Sequence, residues 1–165
     1  MKSFLRLTGW ALGLLAAGAL HAQTLWPGTT AGMSVEDVKR AFPDAHAPEV
    51  ENVLPAGRGV QLLELDEAAI AGHTFKVGFF FKEGELAVVT LGEAGEIPVK
   101  DFEKFRDILR KHYGLEYSTL NSESLQLTWK VAQTTILLTW TPLQRGIVLL
   151  SIAYEAPSPK GRIRL

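Results

Sequence analysis

The chain has 165 residues, 17 Lys and Arg against 18 Asp and Glu, and no cysteine. Disulfides and thiolate metal sites are excluded, and with no basic face in the pattern nucleic acid is not an expected partner. This length suits one domain or two small subdomains, with enough buried surface to hold a core without covalent staples.

Residues 1–22 read as a secretion signal. Lys2 and Arg6 give the positive start, residues 12–20 (LGLLAAGAL) form an apolar run too short for a stable anchor, and Ala22 offers a small residue for cleavage. Removing them leaves 15 bases against 18 acids, a net charge of −3. With no cysteine to carry a lipid and no later apolar run of spanning length, the expectation is a periplasmic protein with no membrane anchor after cleavage.

The expected domain covers residues 23–156 in two repeat-like halves, about 32–96 and 97–156, followed by a disordered basic tail over 157–165. The first half is acidic: residues 33–96 hold 12 acids and 5 bases, residues 97–156 hold 6 and 7. Ser34 is the expected cap of a first helix, with Asp37 in the capping-box position. Val35, Val38 and Phe42 share one helical side until Pro43 stops it. Residues 46–59, with Pro48, Pro55, Gly57 and Gly59, read as loop, and residues 60–65 as a first strand. Phe75, Val77, Phe79 and Phe81 then alternate with Lys76, Gly78, Phe80 and Lys82. This second strand turns at Glu83-Gly84 and returns over 86–91.

A second helix begins near Pro98, with Asp101 and Glu103 at its positive end and Phe102, Phe105, Leu109 and His112 along one stripe. Gly114 lies just past its end. After a loop to Ser124, Leu125, Leu127, Trp129 and Val131 alternate with Gln126, Thr128 and Lys130. Ile136, Leu138 and Trp140 alternate with Thr135, Leu137 and Thr139, and residues 147–154 close the sheet. Val35, Asp37, Val38 and Arg40 align with Val99, Asp101, Phe102 and Lys104 at a constant offset of 64 residues. The expected fold class is therefore α+β: tandem helix–three-strand units forming an antiparallel sheet with helices packed on one face.

Gly32-Met33-Ser34-Val35-Glu36-Asp37-Val38, followed by Phe42-Pro43-Asp44-Ala45, resembles the opening of a family of small bacterial envelope domains. These comprise the small lipoprotein of the outer-membrane assembly machinery and the secreted β-lactamase inhibitor protein that shares its fold. The resemblance is close over residues 32–45 and extends to the order of elements over 32–156. It implies a binding fold. The chain departs from the lipoproteins in lacking their cysteine, and nothing in it matches the inhibitor's binding residues, so the resemblance names no partner.

Motifs that carry chemistry are missing. His46, His73 and His112 fall in no H-E-x-x-H spacing, G-x-S-x-G is absent, and Gly57-Arg58-Gly59 lacks the strand-to-helix setting of a phosphate loop. His46 with Asp44 forms a possible loop pair, His73 an expected turn residue, and Glu64, Asp66 and Glu67 a solvated strand end. No catalytic residue, metal or cofactor is expected. Phe80, in contrast, points away from the core face of its strand and stands among polar neighbours. Phe80, Lys76, Gln126, Thr128 and Lys130 are the candidate partner-contact residues on the helix-free face. The primary expectation is an exported, non-enzymatic module that binds an envelope or secreted protein, as an inhibitor or assembly accessory. The alternative is a periplasmic carrier of an apolar or cell-wall-derived ligand, pocketed near Trp129, Trp140 and Phe105. A third reading is an unrecognised hydrolase with His73 as base.

Overall fold

In the computed structural model, which describes residues 23–121 and 124–157, Ser34 caps helix α1 (Val35–Ala41). Its hydroxyl accepts from the Asp37 N–H at 3.2 Å, and the Asp37 carboxylate accepts from the Ser34 N–H at 3.2 Å, a reciprocal capping box. Two turns of helix are unstable alone, so α1 depends on packing: Val38 is fully buried and Phe42 contacts Phe79. Trp26 stacks on Phe42 at 5.4 Å and edges this same core.

The strands follow as β1 (Val53–Leu54), β2 (Gly59–Ile70), β3 (His73–Lys82) and β4 (Glu85–Gly95). Helix α2 (Val99–Tyr113) precedes β5 (Tyr117–Asn121), β6 (Ser124–Val131), β7 (Thr134–Pro142) and β8 (Val148–Glu155). All eight strands join one antiparallel sheet in the order β1-β2-β3-β4-β8-β7-β6-β5. Two meanders thus meet along β4 and β8, paired from Val88↔Glu155 to Gly95↔Val148.

Side chains alternate across this sheet. Val77, Phe79, Leu91, Ile152, Leu138 and Trp129 lie on one face in a single core cluster with Val38 of α1 and Phe102, Phe105 and Leu109 of α2. Two indoles fasten the ends of α2 to the sheet. Trp140 donates from Nε1 to the Ile97 carbonyl at 3.3 Å, and Trp129 to the Gly114 carbonyl at 2.9 Å. Pro98 is the N-cap of α2, one position earlier than a first-turn proline, and Gly114 ends it with φ 83°.

The expected tandem of helix–three-strand units is overturned. The protein is mostly antiparallel sheet, curled as a half-barrel, and two helices accompany it among the described residues. Each half supplies four strands, and hydrogen bonding makes the eight one sheet. Alternation misses β1 because two residues are too few for a period. It misses β5 because Tyr117-Ser118-Thr119-Leu120-Asn121 is mostly polar. β2 runs past Asp66 and Glu67 to Ile70 because a register shift between Leu65 and Ala68 absorbs them. His73 opens β3, and the turn belongs to Ala71 and Gly72 instead, with φ 54° and 87°.

The expected signal segment and residues 158–165 of the expected tail lie outside the described residues. Among the described residues no helix is long and apolar enough to cross a membrane.

Candidate functional site

The face of the sheet opposite α1 and α2 can be read from the strand register. One cross-strand row runs Lys76, Gly92, Ser151, Thr139, Gln126; the next runs Glu64, Gly78, Thr90, Ala153, Leu137, Thr128. A third runs Gln61, Phe80, Val88, Glu155, Thr135, Lys130. Glycine, alanine, serine and threonine dominate the middle of these rows, so the face is a shallow floor.

The five candidate contact residues share this face but do not form one patch. Lys76 and Gln126 are four strand steps apart, about 19 Å at the usual interstrand spacing. Phe80 is only 2% exposed and is not available for contact, which corrects its expected role. Its ring lies down along the sheet instead of standing out. A Cβ on Gly78 would sit 2.9 Å from Phe80 Cε2, so the missing side chain makes room for the ring. Gln61 and Val88, its cross-strand neighbours, are buried on either side. Lys130 is exposed, and Gln126 and Thr128 are half-buried.

The site missed by sequence reasoning is formed by residues 46–52, which cross the β2 edge as a strap. The backbone of His46 pairs with that of Glu64 in both directions, at 3.0 and 2.8 Å, and the Gln61 N–H donates to the Asn52 carbonyl at 2.8 Å. Between strap and sheet lies a cleft of about 540 Å³. Pro48, Glu49, Val50 and Asn52 form its rim, and Gly78, Thr90 and Gly92 form its floor.

A β-bulge builds the cleft wall. Gln61 pairs with Phe80 and Leu63 with Phe79, so Leu62 is the extra residue and Gln61 and Glu64 come to the same face. Strict alternation would put residues three apart on opposite faces. As a result Asn52 donates to the Gln61 amide oxygen at 3.1 Å, and the Gln61 amide donates to Glu64 at 3.0 Å. Lys76 Nζ lies 2.8 Å from the other Glu64 oxygen and 3.8 Å from Asp66. Glu64 is only 5% exposed, so this pairing is what makes a buried carboxylate tolerable. The hydrogen bond to Glu64 in turn raises the Lys76 pKa above its ordinary value.

His46 locks the strap to β2. Nδ1 lies 3.0 Å from the Ala47 carbonyl and Nε2 3.0 Å from the Asp66 carboxylate. Both partners accept, so the ring with both nitrogens protonated is favoured and the His46 pKa is raised above its ordinary value. The Ala47 carbonyl is the larger cause and Asp66 the second. His46, Glu64 and Asp66 bring ligand atoms within 4.8 Å of one another. The Lys76 ammonium already occupies the cation's place beside both carboxylates.

His73 stands elsewhere, against α2. Nδ1 is 2.8 Å from Glu93, Nε2 is 3.7 Å from Asp101, and the ring meets Phe105 edge-on at 5.3 Å. These carboxylates and the phenyl rings of Phe75 and Phe105 tie β3, β4 and α2 together around it. Of the three residues expected around a ligand pocket, Trp140 is half-buried and the other two are buried. Trp129 and Phe105 are each 1% exposed, and Phe105 packs edge-on to Phe75 at 5.4 Å. No known protein family, curated protein or solved structure matches this chain.

Proposed function

We propose that this protein is a small exported module that binds another protein of the cell envelope through the helix-free face of its sheet, without chemistry of its own. The observation that carries this reading is the open cleft between the 46–52 strap and the glycine floor. It offers amide, hydroxyl and charged groups at the walls and the 76% exposed side chain of Val50 at the rim. The cleft thus places hydrogen-bonding groups and one exposed apolar side chain side by side, both of which protein contacts use. The N-terminal segment of signal composition supports export, and the resemblance of residues 32–45 to envelope domains points the same way. A carrier role would need room in the core, where Trp129 and Phe105 leave little.

Gly92 provides the test. A Cβ there would meet only Leu149 Cδ1, at 3.8 Å, and the backbone is ordinary strand, so a large residue projects into the cleft without straining the fold. Gly92→Tyr is expected to keep its melting temperature and to recover at least about tenfold less partner from envelope extract, the loss seen when a central contact is blocked. Equal recovery by the two proteins would remove this site from the proposal.

A further inference from the structure

His46, Glu64 and Asp66 are brought to one point by backbone pairing. The antiparallel bridge between His46 and Glu64 sets their side chains beside each other, as cross-strand neighbours. Glu64 and Asp66 lie two apart on β2, and both carboxylates reach the same Lys76 ammonium. One imidazole nitrogen and two carboxylate oxygens thus fall within 4.8 Å of one another.

The ligand groups are also held from behind. His46 Nδ1 lies 3.0 Å from the Ala47 carbonyl, which turns Nε2 toward Asp66, 3.0 Å away. A backbone carbonyl on the second ring nitrogen is the support that metal-ligating histidines use. Glu64, 5% exposed, takes the Gln61 amide on Oε2 at 3.0 Å, and Asn52 in turn holds Gln61 at 3.1 Å. Its Oε1 is left for a cation, and Lys76 Nζ sits there at 2.8 Å, 3.8 Å from Asp66. The Lys76 side chain is 55% exposed, so rotation carries its ammonium into water.

We infer that His46, Glu64 and Asp66 form a binding site for a first-row divalent cation, zinc, and that Lys76 is the side chain the ion displaces. One nitrogen and two oxygens suit zinc, whereas calcium and magnesium take oxygen ligands. Around an ion with bonds of about 2.1 Å the ligand atoms draw in to about 3.4 Å from one another, and water completes the tetrahedron. The ion takes the place of the proton on Nε2 and of the Lys76 ammonium, so both compete with it. His46 belongs to the strap and both carboxylates to β2, so the ion fastens the strap to the sheet. This site goes beyond the protein-binding reading and does not rest on it.

Isothermal titration of the tag-free, chelator-stripped protein with zinc chloride at about pH 8, where the proton competes least, is the measurement. His46→Ala and Asp66→Asn are each expected to weaken zinc binding by at least about tenfold. Lys76→Met removes the competing ammonium and is expected to tighten it by about tenfold, a gain that neither a misfolded variant nor an ion bound elsewhere can give. Zinc is also expected to slow hydrogen exchange at the Gln61 backbone amide of the wild type and to leave it unchanged in His46→Ala. A wild type that takes up no zinc below about 1 mM overturns the inference. Equal affinity in wild type and His46→Ala does so too, since it means an adventitious ion only. So does a Lys76→Met protein with the wild-type amide spectrum that binds zinc no more tightly.

Discussion

Gly78 and Gly92 lie in adjacent rows of the same sheet face and differ in what a side chain would meet. At Gly78 a Cβ would be 2.9 Å from both Phe80 Cε2 and Thr90 Oγ1, closer than packed carbon tolerates. Gly78→Ala is therefore expected to destabilise by about 1–3 kcal/mol through displacement of the buried Phe80 ring. Gly92→Ala, with one contact at 3.8 Å, is expected to be neutral or to gain about 0.5–1 kcal/mol from the unfolded chain's lost freedom. Paired urea unfolding curves decide it, and equal midpoints for the two variants would refute this account of Phe80. The same residues show where sequence reading stops at this scale. Alternation correctly assigned Phe80 to the face opposite Val77 and Phe79. Period alone says nothing about a ring lying flat over a neighbouring glycine, so burial on that face was not legible.

At the scale of elements, the helices were readable because their ends carry local chemistry: Ser34 with Asp37, Pro43, Pro98 and Gly114 each act within one turn. The strap was not, because its position depends on partners nine to twenty residues away. The His46 to Glu64 bridge and the bulge at Leu62 are properties of register, and the prolines of the strap announce only that it is irregular. Its hold on β2 is expected to vary with pH. Around the His46 ring stand Asp66, Glu64, the Lys76 ammonium and, farther along the strap, Glu49. Because the folded-state pKa of His46 is raised, its stabilisation is complete below the ordinary histidine value and is lost as pH rises through the raised one. Hydrogen exchange at the Gln61 amide, which the strap protects through Asn52, should quicken between about pH 5 and about pH 8 beyond the intrinsic pH dependence. His46→Gln should flatten that excess. An excess that persists in His46→Gln would mean that another group fastens the strap.

For the whole molecule the controlling feature is the β4–β8 seam. Every other strand pairing joins sequence neighbours across a short turn, whereas this one joins residues such as Leu91 and Ile152 across the intervening helix and three strands. It also completes the core, since the rows Val77–Leu91–Ile152–Leu138 and Phe79–Val89–Tyr154–Ile136 pass straight through it. Two sequence halves were legible, but they imply separable units. The structure instead gives each half one long strand whose partner lies in the other. Cut between the halves, residues 23–96 would expose β4, with Val88, Val89 and Leu91, and residues 97–157 would expose β8, with Val148, Leu149, Leu150 and Ile152, each an eight-residue edge. Neither fragment is then expected to unfold cooperatively as a monomer, because each has lost half of a shared core and gained an aggregating edge. Mixed in equal amounts from denaturant, the two should recover a single cooperative transition and the dispersed amide spectrum of the intact chain. A cooperative melt from monomeric residues 23–96 alone would show that the first meander is a domain in its own right, with the seam as a docking surface between two finished folds.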